Sequence, residues 1–415
     1  MAVSKLAPRA AYYLFEGGTA LLHALALTLM LVFQVQVVGL TPFQLVIMGT
    51  AMEVALLLFE IPTGAVADLY SRRRSVLIGT TIIAVSLLLQ GGWPYFWPTL
   101  AGQMIWGLGY TFISGAAQAW ITDEIGEDHV QPVFTRATQV VLTCSVAGTV
   151  VAGLIGQIDL RLPMLVAGAG FVLLALALVA VMPEHGFRPV PKAERETWAH
   201  LGTTVRAGLN LARRRGVVRS MLWVSLLVGL SSEAVDRLWT AHVLEQFTLP
   251  SLFGLTGAAA WFSVFALVGT LVSLLASLVA NRLAGRRLNA QRPAVLLAGL
   301  VVLQVAGIVG FAVLGSLWPA LVAIWVRDAA RVVSEPVQAA WLNREVESGV
   351  RATTLSIVSQ ANALGEAAGG PPMGAVAGRF GIAAGLLGCG VILAPAAGLF
   401  LGLRSHTRAE GKAVS

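Results

Sequence analysis

Long apolar runs constrain the fold of this chain more strongly than any short motif. A helix that crosses a bilayer needs about 20 mostly apolar residues. Only 12% of the 415 residues are charged, against about 25% in soluble domains, so the chain cannot cover a soluble surface. The runs predict an all-α membrane protein with twelve spanning helices, at residues 10–37, 42–67, 75–93, 97–122, 134–157, 162–182, 217–246, 252–280, 293–314, 317–342, 351–377 and 381–403.

One stretch between the predicted spans differs from the others in composition. Residues 183–216 begin with Pro183, Pro189 and Pro191 and then become polar and basic. This composition is typical of a linker, and we expect it to be cytoplasmic with an amphipathic surface helix in its second part. The linker divides the chain into an N-terminal six-helix bundle, 1–182, and a C-terminal six-helix bundle with a short tail, 217–415.

Lysine and arginine are distributed unevenly between the two sides of the predicted spans. With both termini in the cytoplasm, most of the 28 fall in inner loops, linker and tails, while the outer loops hold Arg161 and Arg379. Positive charge concentrates in the cytoplasmic loops of membrane proteins. We therefore expect a multi-pass protein of the cell membrane with cytoplasmic termini. The net charge of +7 has the same origin, so it does not indicate nucleic-acid binding.

Three sequence matches relate the halves of the chain. Ser114–Ala119 in span four corresponds to Ser334–Ala339 in span ten, and a tryptophan follows shortly after each. Arg136–Thr138 opens span five, and the same three residue types open span eleven at Arg351–Thr353. Spans two and eight also both end in a basic turn. Matches in the same order on either side of a linker indicate duplication, which many transporters use to build a site at mid-membrane.

The loop between spans two and three carries a recognisable motif, GAVADLYSRR, at residues 64–73. It resembles the signature of the major facilitator superfamily, G-x-x-x-D-(R/K)-x-G-R-(R/K), at Gly64, Asp68, Arg72 and Arg73. It departs from that signature at Leu69 and Ser71. The resemblance implies two pseudo-symmetric six-helix bundles and a secondary transporter that works by alternating access. The preceding EIPTG run is similar to that of the drug:proton antiporter branches.

The same resemblance implies a conformational latch. In the family, the aspartate at the Asp68 position caps a helix end across the half-domain interface, and the arginines pair with acids of the fourth span. Asp123 stands at the cytoplasmic end of that span here. The latch candidates are therefore Gly64, Asp68, Arg72, Arg73 and Asp123. The alternative is that the arginines serve only to fix the topology.

Glycines follow a pattern that only partly fits the antiporter branches. Those proteins tend to carry a glycine-rich run with Gly-Pro in span five, but span five lacks a proline here. The fuller run lies in span eleven, between Gly365 and Gly378. Close helix packing is the alternative explanation of these glycines.

Ionisable residues at membrane depth are costly and are functional candidates by default. Glu53 and Glu366 rank first for proton coupling, because neither has a cation three or four residues away. A lone buried carboxylate can be neutral in one state and charged in another. Glu233, Asp236 and Glu16 are further candidates.

Two arginines in span ten offer a different chemistry. Arg327 and Arg331 form a ladder with Glu335, as Glu233 does with Arg237 in span seven, and such intrahelical pairs are mostly structural. The alternative is that both arginines bind an anionic substrate. Substrate-cavity candidates are Trp106, Tyr110, Trp325, Arg327 and Arg331, with lipid contact as the alternative for the aromatic residues.

The chain carries no catalytic signature, so we do not expect an enzyme. Its two cysteines do not form a metal-ligand spacing, and no phosphate-binding glycine loop is present. We expect no cofactor, no metal and a monomer. The leading hypothesis is proton-coupled efflux of amphipathic small molecules or drugs. The alternatives are a carrier for a polar or anionic metabolite and, less favoured, a membrane sensor or scaffold.

Overall fold

A computed structural model describes residues 5–189, 202–203, 206, 216–251, 257–283, 293–346 and 348–403. Within these ranges the chain forms helices and no strands. The helices are α1 Pro8–Gln36, α2 Pro42–Leu69, α3 Arg72–Gly92, α4 Phe96–Ile113, α5 Ala116–Ile125, α6 Glu127–Ile155, α7 Leu162–Val181, α8 Gly216–Gln246, α9 Gly257–Leu283, α10 Pro293–Val313, α11 Leu317–Glu345, α12 Ser348–Phe380 and α13 Ile382–Leu393.

The predicted spans correspond to these helices, and the all-α membrane fold is confirmed. In the described part of the chain, 9 helices are long and apolar enough to cross a membrane. The helices at predicted spans four, ten and eleven do not meet this criterion of length and hydropathy. Span four is divided between α4 and α5, and α11 and α12 carry charged and polar residues at mid-length. Those charges mark the helices that hold the candidate site.

Proline and serine explain where several helices begin. Pro8, Pro42 and Pro293 occupy the first position of α1, α2 and α10, where the missing N–H would have no helical partner. Helix α3 starts differently, because the Ser71 hydroxyl oxygen accepts a hydrogen bond from the Arg74 N–H at 2.9 Å. This is an N-cap, and it fixes the end of α3 at which the loop motif lies.

Span four is not the continuous helix that the apolar run predicts. It breaks at Ser114 and Gly115, and Gly115 has a φ of 74°. Glycine adopts this left-handed conformation without the steric cost that a side chain would bring. Span twelve is also interrupted, at Ala394, because Pro395 has no N–H to continue the helical hydrogen bonds.

The chain forms two compact units. The first comprises Met1–Leu40, Ala51–His200 and Leu249–Leu267, and the second comprises Thr41–Thr50, Leu201–Thr248 and Val268–Ser415. The second unit therefore includes the first turns of α2. The division at the 183–216 linker remains a proposal, and most of the predicted surface helix lies outside the described residues.

Candidate functional site

Close packing between α8 and α12 positions the acids of the second unit. A Cβ built on Gly229 would overlap the Asn362 carbonyl oxygen, and Cβ atoms on Gly365 and Gly369 would overlap the α8 backbone. Only glycine permits such an approach. The glycine-rich run of span eleven thus serves helix packing, and it holds Glu366 against α8.

Asp236 on α8 joins the two arginines of α11. Its Oδ1 accepts a hydrogen bond from Arg327 Nη1 at 2.6 Å, and its Oδ2 accepts one from Arg331 Nη1 at 2.9 Å. Arg327 also lies 2.8 Å from Asp328, and Arg331 lies 3.6 Å from Glu335. The intrahelical pairing predicted for Arg331 is present, but the stronger contacts run between helices. Both arginines proposed as anion receptors are therefore already engaged by carboxylates.

Glu233 and Arg237 form the ion pair that their spacing predicts. Arg237 Nε lies 2.9 Å from Glu233 Oε1, and both side chains are largely buried. Gly49 of α2 lies against this pair, where a Cβ would overlap the Glu233 carboxylate and the Arg237 guanidinium. Glycine at position 49 therefore leaves the space that the pair occupies.

Glu366 has partners of a different kind. Asn362 Nδ2 donates to its Oε1 at 2.9 Å, and the Ser232 hydroxyl lies 3.4 Å from the same oxygen. Within the described residues Glu366 forms no ion pair within 4.0 Å. It is half-buried, and a hydroxyl and an amide, both uncharged, hold it in place.

Trp325 completes the second-unit candidates. It is half-buried on α11, and its indole lies against Gly269 of α9.

The acids at mid-span in this unit outnumber the arginines there: Glu233, Asp236, Asp328, Glu335 and Glu366 against Arg237, Arg327 and Arg331. The cluster therefore carries an excess of negative charge when all of its groups are ionised.

The loop motif lies at the N-terminus of α3, in the first unit. Arg72 donates to the Asp123 carboxylate of α5 and, at 2.9 Å, to the Ala119 carbonyl oxygen. Burial raises the pKa of the Asp123 carboxyl, the Arg72 guanidinium opposes that rise, and the charge of Asp68 adds to it. Asp68 is half-buried on α2 and makes no hydrogen bond to another described residue. Gly64 has open space around its Cβ position.

Arg73 does not form the expected pair with an acid of span four. Its Nη2 donates to the Val179 carbonyl oxygen at 2.6 Å, at the end of α7. Successive residues at the start of a helix point in different directions, so Arg72 and Arg73 cannot both face α5.

Glu184 also belongs to this cluster, and no sequence motif pointed to it. Its Oε1 accepts hydrogen bonds from the Ser71 hydroxyl and the Arg73 N–H, both at 2.9 Å. A carboxylate at a helix N-terminus satisfies free N–H groups and interacts favourably with the helix dipole. The available signal was a single acid that follows Pro183 just after span six. The sequence could not indicate that this acid contacts Ser71, which is more than 100 residues away along the chain.

The other first-unit candidates lie on α1, α2 and α4. Glu16 and Glu53 are half-buried, and Glu53 is in contact with other groups. Trp106 stacks on Tyr110, with ring centroids 5.5 Å apart and planes inclined by 14°. Trp106 is half-buried and Tyr110 is 42% exposed, so the aromatic pair extends to the surface of this unit.

Spanning helices with ionisable groups at mid-span, together with a charged cluster at the start of α3, define the class of membrane transport proteins. The chain belongs to the Major Facilitator Superfamily, whose model matches residues 17–370. The superfamily predicted from the loop motif is confirmed, and the protein is a transporter of this superfamily.

Sequence similarity to an individual curated protein is low and covers only part of the chain. Over 134 residues the chain is 27% identical to the "Uncharacterized MFS-type transporter YxaM" of Bacillus subtilis (strain 168), a match that covers 32% of this chain and 33% of that protein. The chain thus matches about a third of the length of this curated relative.

Solved structures agree with the chain in fold. The nucleoside transporter NupG superposes with a TM-score of 0.74 and 15% identity, over 97% of this chain and 99% of that one. A POT family transporter in complex with 5-aminolevulinic acid gives 0.72 and 13%, over 96% of both chains. At these identities the likeness concerns the fold alone.

Proposed function

We propose that this protein exports amphipathic small molecules in exchange for protons, by alternating access. One observation carries the proposal. Glu366 is held by the neutral groups of Asn362 and Ser232, whereas Glu233 and Asp236 nearby on α8 are each paired with arginine. The site thus combines fixed ion pairs with one acid that has neutral partners.

The difference in partners decides which acid can gain and lose a proton. Protonating Glu233 or Asp236 would break an ion pair with a largely buried guanidinium, which is unfavourable. Protonating Glu366 breaks no ion pair, and the carboxylic acid can keep the hydrogen bond from Asn362. Glu366 is therefore the proton carrier in this proposal, with Glu53 as a second candidate on α2.

The excess of acids at mid-span also indicates the charge of the substrate. A deprotonated Glu366 adds an uncompensated negative charge to a region where ions are costly. A proton or a cationic group of a substrate relieves that charge, so the two alternate at the site. An amphipathic cation, with an apolar body and one positive group, meets both requirements.

A carrier for an anionic or polar metabolite is the second candidate. Arg327 and Arg331 favour it, because they lie at mid-span and Arg327 is 5% exposed. An anion would have to displace Asp236 from both guanidinium groups. A thermal-stability screen of the purified protein with hydrophobic cations and organic anions distinguishes the two. We expect cations to raise the melting temperature, and stabilisation by anions alone would favour the metabolite carrier.

Replacement of Glu366 tests the mechanism. We expect Glu366→Gln to lose accumulation of ethidium driven by a pH gradient in proteoliposomes, while counterflow of ethidium continues. Exchange of substrate requires only an occupied site, whereas accumulation requires a titrating group. Glu245→Gln, an exposed acid near the end of α8, is the matched control and retains both activities. Accumulation by Glu366→Gln, by Glu53→Gln and by the double variant would exclude this proton site.

A further inference from the structure

Buried polar atoms without a hydrogen-bond partner in the described part of the chain occur on α1 at Thr19, His23 and Gln34, and on α4 at Thr99 and Trp106. Three of these atoms are Thr19 Oγ1, His23 Nε2 and Trp106 Nε1. A buried donor or acceptor without a partner costs free energy, so native proteins supply one from protein, water or ligand. Where such atoms occur together, the missing hydrogen bonds are available to water or to a ligand.

Two of these atoms belong to rings in contact, those of His23 and Trp106, and the third lies on the same face of α1 as His23. Thr19 and His23 are four residues apart on α1 and therefore share a face of that helix. The His23 ring lies with its centroid 5.6 Å from that of Trp106 and 5.0 Å from that of Phe171 on α7. Two aromatic rings thus flank the imidazole, which carries one of the unpartnered atoms.

Some buried polar side chains near Trp106 are satisfied. Gln103 Nε2 of α4 donates to Gln90 Oε1 of α3 at 2.9 Å, and Ser86 Oγ of α3 donates to the Gly102 carbonyl oxygen of α4 at 2.8 Å. Thr99 Oγ1, near the start of α4, has no partner among the described residues, like Trp106 Nε1. Trp106 differs from Thr99 in that its ring contacts the ring of a second side chain with an unpartnered atom, His23.

The donors and rings define the chemistry of the ligand. An indole N–H only donates, so the ligand has to present an acceptor to Trp106. The Thr19 hydroxyl and the His23 imidazole can donate or accept. Trp106 stacks on Tyr110, so the aromatic surface continues for one more helical turn beside the polar atoms. Flat rings match such a surface better than branched aliphatic groups do.

We propose that Thr19, His23 and Trp106 form the polar end of a substrate site for planar aromatic molecules that bear a hydrogen-bond acceptor, such as a ring carbonyl. This inference rests on the proposed function, because it takes the site to serve an amphipathic substrate. It adds the substrate class: the aromatic part lies along Trp106 and Tyr110, and the acceptor meets the indole N–H.

Two probe molecules measure how much a hydrogen-bond acceptor contributes to binding. Fluorenone and fluorene are both planar tricyclic molecules, and they differ in one carbonyl group. We expect the full-length wild-type protein in lipid nanodiscs to bind fluorenone about tenfold more tightly than fluorene, as one buried hydrogen bond would give. We expect Trp106→Phe and Thr19→Val to remove that preference by weakening fluorenone binding, with fluorene binding unchanged.

Matched variants separate binding from folding. Trp97, 73% exposed at the start of α4, provides the control Trp97→Phe. Thr28 donates to the Ala24 carbonyl oxygen at 2.6 Å, so Thr28→Val loses a hydrogen bond that Thr19→Val does not. We expect Thr28→Val to lower the melting temperature and keep the preference for fluorenone. We expect Thr19→Val to keep the melting temperature and lose that preference.

Equal affinity of the wild type for the two probes, or an unchanged preference in Trp106→Phe and Thr19→Val, would overturn the inference. In that case water alone satisfies the three atoms. The proposed function fails by a different result, the absence of transport driven by a pH gradient. Binding of fluorenone that depends on Trp106 would support the site even in that case.

Discussion

At the scale of single residues, two glycines of α2 have opposite surroundings. A Cβ at Gly49 would overlap the Glu233 and Arg237 side chains, whereas a Cβ at Gly64 would meet nothing within 4 Å. Gly64 belongs to the motif that resembles the family signature, and Gly49 belongs to no motif. The packing need for glycine is therefore visible at position 49 and not at position 64.

Alanine at each position tests this difference. We expect Gly49→Ala to lower the stability of the purified protein by about 1–3 kcal/mol, because the buried ion pair has to shift. Gly64→Ala is expected to be neutral or to stabilise by up to about 1 kcal/mol, as alanine does in a helix interior. Thermal unfolding followed by tryptophan fluorescence measures both. Equal losses at the two positions would contradict the role of Gly49.

The sequence predicts side-chain contacts within one helix better than contacts between helices. Glu233 and Arg237 pair as their spacing indicates, because both lie on one helix. The contacts of Asp236 with Arg327 and of Glu366 with Ser232 join different helices. Such contacts depend on how the helices pack, which helical periodicity does not determine.

At the scale of elements, the start of α3 joins three other segments. Arg72 contacts α5, Arg73 contacts the end of α7, and Glu184 binds Ser71 and the Arg73 N–H. The motif predicted the Arg72 contact. It did not predict Glu184, and the apolar run of span four gave no sign of the break at Gly115, because hydropathy does not register backbone conformation.

Asp68 tests whether this cluster controls conformational change. We expect Asp68→Asn to lower the transport rate by about tenfold and to leave the dissociation constant of a bound cation unchanged. The reason is that a latch acts on the switch between states and not on the site. Glu127→Gln, an exposed acid in the first turn of α6, is the control. An unchanged transport rate in Asp68→Asn would show that the motif has no such role in this chain.

For the whole molecule, the apolar runs were sufficient to predict the all-helical membrane fold. The distribution of lysine and arginine also predicts an orientation, which labelling can test. Tyr70 lies between α2 and α3 and Tyr95 between α3 and α4, and each is 68% exposed. Ser71 is unsuitable for labelling because it is 3% exposed.

We expect an impermeant thiol reagent to label Tyr95→Cys from outside intact cells and to spare Tyr70→Cys, because the positive loop after Tyr70 is predicted to be cytoplasmic. Both substitutions are made in a chain that carries Cys144→Ala and Cys389→Ala. Tyr70→Cys labels after the cells are opened, which confirms that the site is reactive. Labelling of Tyr70→Cys in intact cells would reverse the orientation.

A pH gradient imposed on wild-type proteoliposomes is the decisive test of proton-driven transport. We expect ethidium to accumulate in the compartment of lower pH against its own gradient, since protons leave that compartment as ethidium enters. We also expect accumulation to stop when a protonophore collapses the gradient at constant membrane potential. If ethidium only equilibrates, with or without the gradient, proton movement does not drive its transport.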